Sequence, residues 1–176
     1  MNRSQPYERV TQGDIKYTIN EEENTASVAG CQSNTTKIII PRAIEHKSKE
    51  YIVTTISNGV FRYSYINSVE FAPNSELRTI GKNAFSYTKL ASIEIPSHVT
   101  QIGECAFFDC KQLARVEFAP NSELRTIGGG AFASSALASI EIPSHVTQIC
   151  EGAFFDCRQL ARVEFAPNSE LRTIGK

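Results

Sequence analysis

The stretch from Phe71 to Glu117 is written twice: Phe118 to Glu164 repeats it with nine changes, and a third copy runs from Phe165 to Lys176. The period is 47 residues, counted from Phe71 to Phe118. Each copy is itself a doublet. The strand-like LASIEIP around Ile95 and LARVEF around Phe118 hold the same place in successive half-copies, 24 and 23 residues apart. A unit of this size cannot bury its own apolar face, so neighbours must stack and share one continuous core. The chain is therefore expected to be a solenoid.

From Ile66 onward each half-copy follows one template: L-x-x-I-x-I, a turn containing Pro, V/L-x-x-I-G, then A-F and a polar corner. Strand alternation sends Ile93 and Ile95 inward and Glu94 outward. One coil is expected to bury Leu90, Ile93, Ile95, Val99, Ile102, Ala106 and Phe107, and the next Leu113, Val116, Phe118, Leu124, Ile127, Ala131 and Phe132. Pro96, Pro120 and Pro143 stand past the strand, where a missing N–H does not break pairing. The A-F segment is too short for a full helix and predicts a helical or 3₁₀ turn.

Ahead of the template, residues 1–14 are polar and aperiodic and read as a flexible arm. Residues 15–36 alternate around the turn EEEN and predict an N-terminal β-hairpin cap, which a solenoid needs to cover its first coil. Residues 37–65 read as the first coil, with KIIIP as its strand and a second small hairpin inserted after it. Residues 66–176 carry the repeats, the last coil being incomplete. An end of that kind predicts a longer array, end-to-end self-association at the open C-terminal coil, or fraying of the last residues.

The segments IEIPSHVTQIGECAFFDC, from Ile93 to Cys110, and its copy from Ile140 to Cys157 resemble the treponemal-type leucine-rich repeats of the BspA-like surface-protein family. The resemblance implies a right-handed leucine-rich-repeat superhelix, with a parallel β-sheet on one face and the short turns on the other. It also implies a cell-surface or secreted adhesin that binds host matrix or cell-surface proteins through its repeat surface.

Other features bound the partners. With a formal charge of −1 and no long basic run, the chain offers no electrostatic footprint for nucleic acid. Its opening residues show no signal peptide, and no apolar run is long enough to span a bilayer. A cytoplasmic leucine-rich-repeat scaffold or assembly protein is thus the alternative to an exported adhesin. The five cysteines form neither a CxxC pair nor an even framework and are expected as buried free thiols. Asn2-Arg3-Ser4 and Asn34-Thr35-Thr36 fit the N-glycosylation pattern.

The most pointed candidate surface is a column of carboxylates. Glu70, Glu94, Glu117, Glu141 and Glu164 take the same outward position in five successive strands. An in-register parallel sheet would stand them about 5 Å apart, with Arg115 and Arg162 two residues earlier on the same face as partial compensation. That strip would recruit a basic partner or a divalent cation, although a duplicated repeat copies a solvated strand face whether or not anything binds there. Phe108 and Phe155, each following a buried phenylalanine, point to the corner beside Tyr63, Tyr65 and Tyr87, where they either serve as the second candidate anchors or pack the corners of adjacent coils together. No catalytic residue, metal site or cofactor is expected: His98 and His145 are two coils apart, and no catalytic or phosphate-loop motif occurs.

Overall fold

A computed structural model of the chain describes residues 7–176, so the triplet at Asn2 and the first part of the expected arm lie outside the described residues. The first strands are β1 (Tyr7–Gln12), β2 (Ile15–Asn20), β3 (Thr25–Cys31), β4 (Lys37–Ile40), β5 (Ala43–His46) and β6 (Lys49–Ile56). Short strands follow in alternation: β7 (Ser68–Phe71), β8 (Thr79–Ile80), β9 (Ser92–Ile95), β10 (Gln101–Ile102), β11 (Arg115–Phe118) and β12 (Thr126–Ile127). The series ends with β13 (Ser139–Ile142), β14 (Gln148–Ile149), β15 (Arg162–Phe165) and β16 (Thr173–Ile174). Each repeated coil thus contributes one four-residue strand, one two-residue strand and a corner built of turns.

The two-residue strands stack in parallel register and join the cap. One ten-stranded sheet runs β1-β2-β3-β6-β8-β10-β12-β14-β16, with β5 on the side of β6. The cap is antiparallel from β1 to β3, and β3 then meets β6 in parallel, which covers the first coil. Tyr7–Gln12, expected within a flexible arm, is instead the edge strand β1. Its weak pattern in the sequence reflects its place, since an edge strand resting lightly on the cap needs no strict alternation.

Inside the coils the template residues bury as expected: Leu90, Ile95, Val99, Ile102, Leu113, Leu124 and Ile127 are fully enclosed. Phe61, Phe85, Phe107, Phe132 and Phe154 form a spine of parallel rings with successive centroids 5.1, 5.3, 5.3 and 5.6 Å apart. The backbone follows the same stacking. The N–H of Phe61, Phe85, Phe107 and Phe132 donates to Ala84, Ala106, Ala131 and Ala153 of the next coil, at 2.7–2.9 Å.

Turns, not helices, make the corners. Two left-handed residues stand four apart in each corner, for example Asn83 and Tyr87 (φ 55° and 60°) or Cys105 and Asp109 (both 54°). A left-handed residue at each end interrupts the right-handed run that a helix needs. The coils also approach closely here: a Cβ on Gly128 would sit 2.6 Å from backbone atoms of Gly103 and Glu104.

Candidate functional site

The four-residue strands do not form one sheet. They pair as β4–β7, β9–β11 and β13–β15, three separate ladders. The expected column of glutamates is therefore divided. Glu94 stands opposite Glu117 and Glu141 opposite Glu164, whereas Glu70 faces Ile39.

The division follows from turn length. Eight positions separate Phe71 from Thr79, but six separate Ile95 from Gln101, so the two kinds of coil enter their short strands by unequal turns. The longer turn holds itself with a serine: Leu77 N–H donates to Ser75 Oγ at 3.3 Å, and Leu124 N–H to Ser122 Oγ at 3.4 Å. It then docks backward, Glu123 N–H donating to Ser97 O and Glu170 N–H to Ser144 O, both at 2.7 Å. Forward its backbone bonds at its far end, where Arg78 O and Arg125 O accept from Thr100 and Thr147 N–H at 2.9 Å, and His98 Nδ1 lies 3.3 Å from Ser75 O.

A groove opens on each forward side. The first, about 480 Å³, lies between β7 and β9; the second, about 630 Å³, lies between β11 and β13. Equivalent residues line both, 47 positions apart: Phe71 and Phe118, Glu94 and Glu141, His98 and His145. Phe118, expected in the core, is half-buried because the splayed strands leave it at the groove, and Phe71 is half-buried with it. Neither groove was foreseen from the repeat. The signal was present, however, in the unequal turns APNSEL and PSHV.

Charge is distributed unevenly along the face. Lys37 Nζ lies 2.6 Å from Glu70, Arg115 Nη2 2.5 Å from Glu117 and Arg162 Nη2 2.5 Å from Glu164. These exposed pairs contribute little to stability, but they neutralise their carboxylates. Glu94 and Glu141 have no ion-pair partner among the described residues. Beside the second groove, His145 Nδ1 is 3.0 Å from Glu170 Oε1, and Arg125 Nη1 is 3.1 Å from Glu170 Oε2. The His145 hydrogen bond, aided by the charges of His145, Arg125 and Arg172, holds the Glu170 carboxyl below its ordinary range. His98 makes the looser counterpart, 4.0 Å from Glu123.

The aromatic rim is shorter than a full column. Tyr63 stacks on Tyr87 at 4.5 Å with Arg62 4.8 Å from the Tyr63 ring, and Phe108 meets Tyr87 edge-on at 5.5 Å. Phe155 is 72% exposed and stands apart from the cluster, because Ser134 and Asp156 occupy the tyrosine position in later coils. Tyr65 is exposed beside Lys89.

All five cysteines are free, but only Cys110 is fully buried, the others being half-buried. Cys110 Sγ donates to Phe85 O at 3.1 Å, and burial pushes its thiol up from the ordinary range. Among the described residues no group of His, Cys, Asp or Glu is arranged to hold a metal ion. Among them, too, no helix is long and apolar enough to cross a membrane.

A family model described as a BspA type leucine rich repeat region matches residues 24–161 in six copies. No curated protein matches the chain. Among solved structures, the pneumococcal vaccine antigen PcpA is similar at 21% identity and a TM-score of 0.77, over 94% of this chain and 51% of that one. A leucine-rich-repeat protein from Bacteroides capillosus is similar at 24% identity and a TM-score of 0.58, over 89% of this chain and 97% of that one. A leucine rich cell surface protein from Faecalibacterium prausnitzii matches at 23% identity and a TM-score of 0.52, over 95% of this chain and 56% of that one. The chain thus spans about half the length of the first and third of these.

Proposed function

The chain belongs to the BspA-type leucine-rich-repeat family, and from that premise we propose that it is a non-catalytic recognition module, an adhesin that binds host or extracellular-matrix proteins through its repeat surface. The observation that carries this reading is the recurrence of one solvent-facing relief, with its grooves and free carboxylates, at a period of 47 residues. A catalytic centre needs one singular pocket with convergent groups, and this face repeats itself instead. Repetition suits a long partner engaged at several points, where modest contacts add through linkage. The cell-surface placement of this chain is part of the proposal.

The test is binding of the chain to a panel of matrix proteins at low and high salt, beside a variant carrying Glu94→Gln, Glu117→Gln and Glu141→Gln. Salt-sensitive binding that the variant loses supports recognition through this face. Unchanged binding by the variant would move the contact to the rim of Tyr63, Tyr87 and Phe108, and no binding to any matrix protein would overturn the adhesin reading. The five free cysteines favour a reducing compartment and hence an intracellular scaffold as the competing reading. Fractionation of the source cell decides between them.

A further inference from the structure

The corner of the first two coils carries a surface that the repeat does not copy. Residues 63–66 run beside residues 86–89, held by Tyr63 N–H donating to Ser86 O and Lys89 N–H to Ile66 O, both at 3.0 Å. Tyr63 stacks on Tyr87 there, and Tyr65 follows two residues on; Tyr63 and Tyr65 are 61% and 59% exposed. The Arg62 guanidinium is 4.8 Å from the Tyr63 ring and 5.7 Å from the Tyr87 ring, and Lys89 Nζ is 5.0 Å from the Tyr65 ring.

Both cations are surplus. The carboxylates of the following coil are already engaged, Glu104 by Lys82 at 2.9 Å and Asp109 by Lys111 at 3.4 Å. Among the described residues neither Arg62 nor Lys89 has an ion-pair partner, and Arg62 donates to Tyr63 Oη at 3.2 Å. The tyrosines, moreover, stand where the backbone disfavours them. Tyr63 and Tyr87 are left-handed at φ 60°, which a bulky side chain rarely adopts. Asp109 and Asp156 take the same place in later coils (φ 54° and 53°), short polar residues that tolerate it. Strain kept at an exposed position points to what the side chain touches. Duplication does not account for the patch either, since the second copy has Ser134 and Ala136 for Tyr87 and Lys89 while repeating the strand face unchanged.

Unpaired cations set over aromatic faces call for an anion, and tyrosine and arginine together anchor the centres of protein interfaces. A partner bearing charge alone would leave the rings in water. We propose that this corner docks an acidic segment of a partner protein, its carboxylates on Arg62 and Lys89 and its apolar side chains on Tyr63 and Tyr65. The proposal rests on the protein-recognition reading and adds to the acidic strand face a second surface of opposite charge.

The experiment is fluorescence anisotropy with a labelled peptide of alternating Glu and Phe, beside one with Lys in place of Glu and one with Ser in place of Phe. The Glu-Phe peptide is expected to bind at least about tenfold more tightly than either, the margin that one interface anchor supplies. Arg62→Gln/Lys89→Gln should abolish the preference over the Lys peptide. Tyr63→Asn, which suits the left-handed backbone, should abolish the preference over the Ser peptide. A charge-matched control on the exposed faces of β1 and β2, Arg9→Gln/Lys16→Gln, should keep both preferences, and thermal melts should show all the variants folded. Equal affinity for the Glu and Lys peptides, or preferences that survive both corner variants, overturn the proposal. Equal affinity for the Phe and Ser peptides, with displacement by heparin, overturns it in favour of a sulfated glycan. Matrix-protein binding without an acidic-peptide preference defeats this inference and leaves the adhesin reading standing. The preference without matrix-protein binding does the reverse.

Discussion

Cys105 shows what a single position costs in this fold. It sits at a corner in the left-handed region (φ 54°), where a Cβ crowds the following carbonyl by about 1–2 kcal/mol. The second copy places Gly152 at the same point (φ 63°), and a Cβ there would meet nothing nearer than Phe155 Cβ at 3.6 Å. The strain is therefore in the backbone. Cys105→Gly should raise stability by about 1 kcal/mol, less the entropy a glycine adds to the unfolded chain, and Gly152→Cys should lower it comparably in urea melts. Tyr17 carries a second prediction. Its ring is enclosed in the cap, and burial pushes its phenol up to about 12. The folded value lies above the unfolded value of 10, so this contribution is complete below pH 10 and lost as pH rises towards 12. Alkaline titration of phenolate absorbance should show a last step near pH 12, and Tyr17→Phe should remove it.

At the scale of elements, the phenylalanine spine is the continuous structure through the coils. Phe107 is fully buried between two rings, whereas Phe154 is half-buried and stacks on one. Phe107→Ala should cost about 3–5 kcal/mol and Phe154→Ala distinctly less, measured by denaturant midpoint at constant slope. The spine was legible in the sequence because A-F recurs in every half-copy and an inward aromatic at a fixed period has only its counterparts to touch. The corner conformation was not. Tyr87 and Cys105 are poor residues for positive φ, and nothing in their side chains announces the left-handed turns that stop a helix from forming. Phe118 was misplaced for a different reason. The template treats successive half-copies as equivalent, and the two additional turn residues that split the strand face break that equivalence. The site was legible to the same extent: Glu94 and Glu141 as outward carboxylates, but not the grooves beside them.

Across the whole molecule, stability should behave as a sum of coils and their interfaces. Removing residues 71–117 joins Glu70 to Phe118, which presents to it the same sequence, FAPNSELRTIG, that Phe71 did. The shortened protein should stay folded with a lower melting temperature and should retain one groove. Removing residues 71–94 takes out about half as much chain yet joins Glu70 directly to Ile95, a coil of the wrong kind. Circular dichroism and melting should therefore show the smaller deletion to be the more damaging. The alternating turn lengths behind this contrast give the array a parity. A coil of one kind fits only beside a coil of the other, so a gene encoding such a chain can lengthen by recombination in even steps while an odd step leaves a mismatched seam. Growth by near-identical doublets, as Phe71 to Glu164 displays, is the course this constraint leaves open.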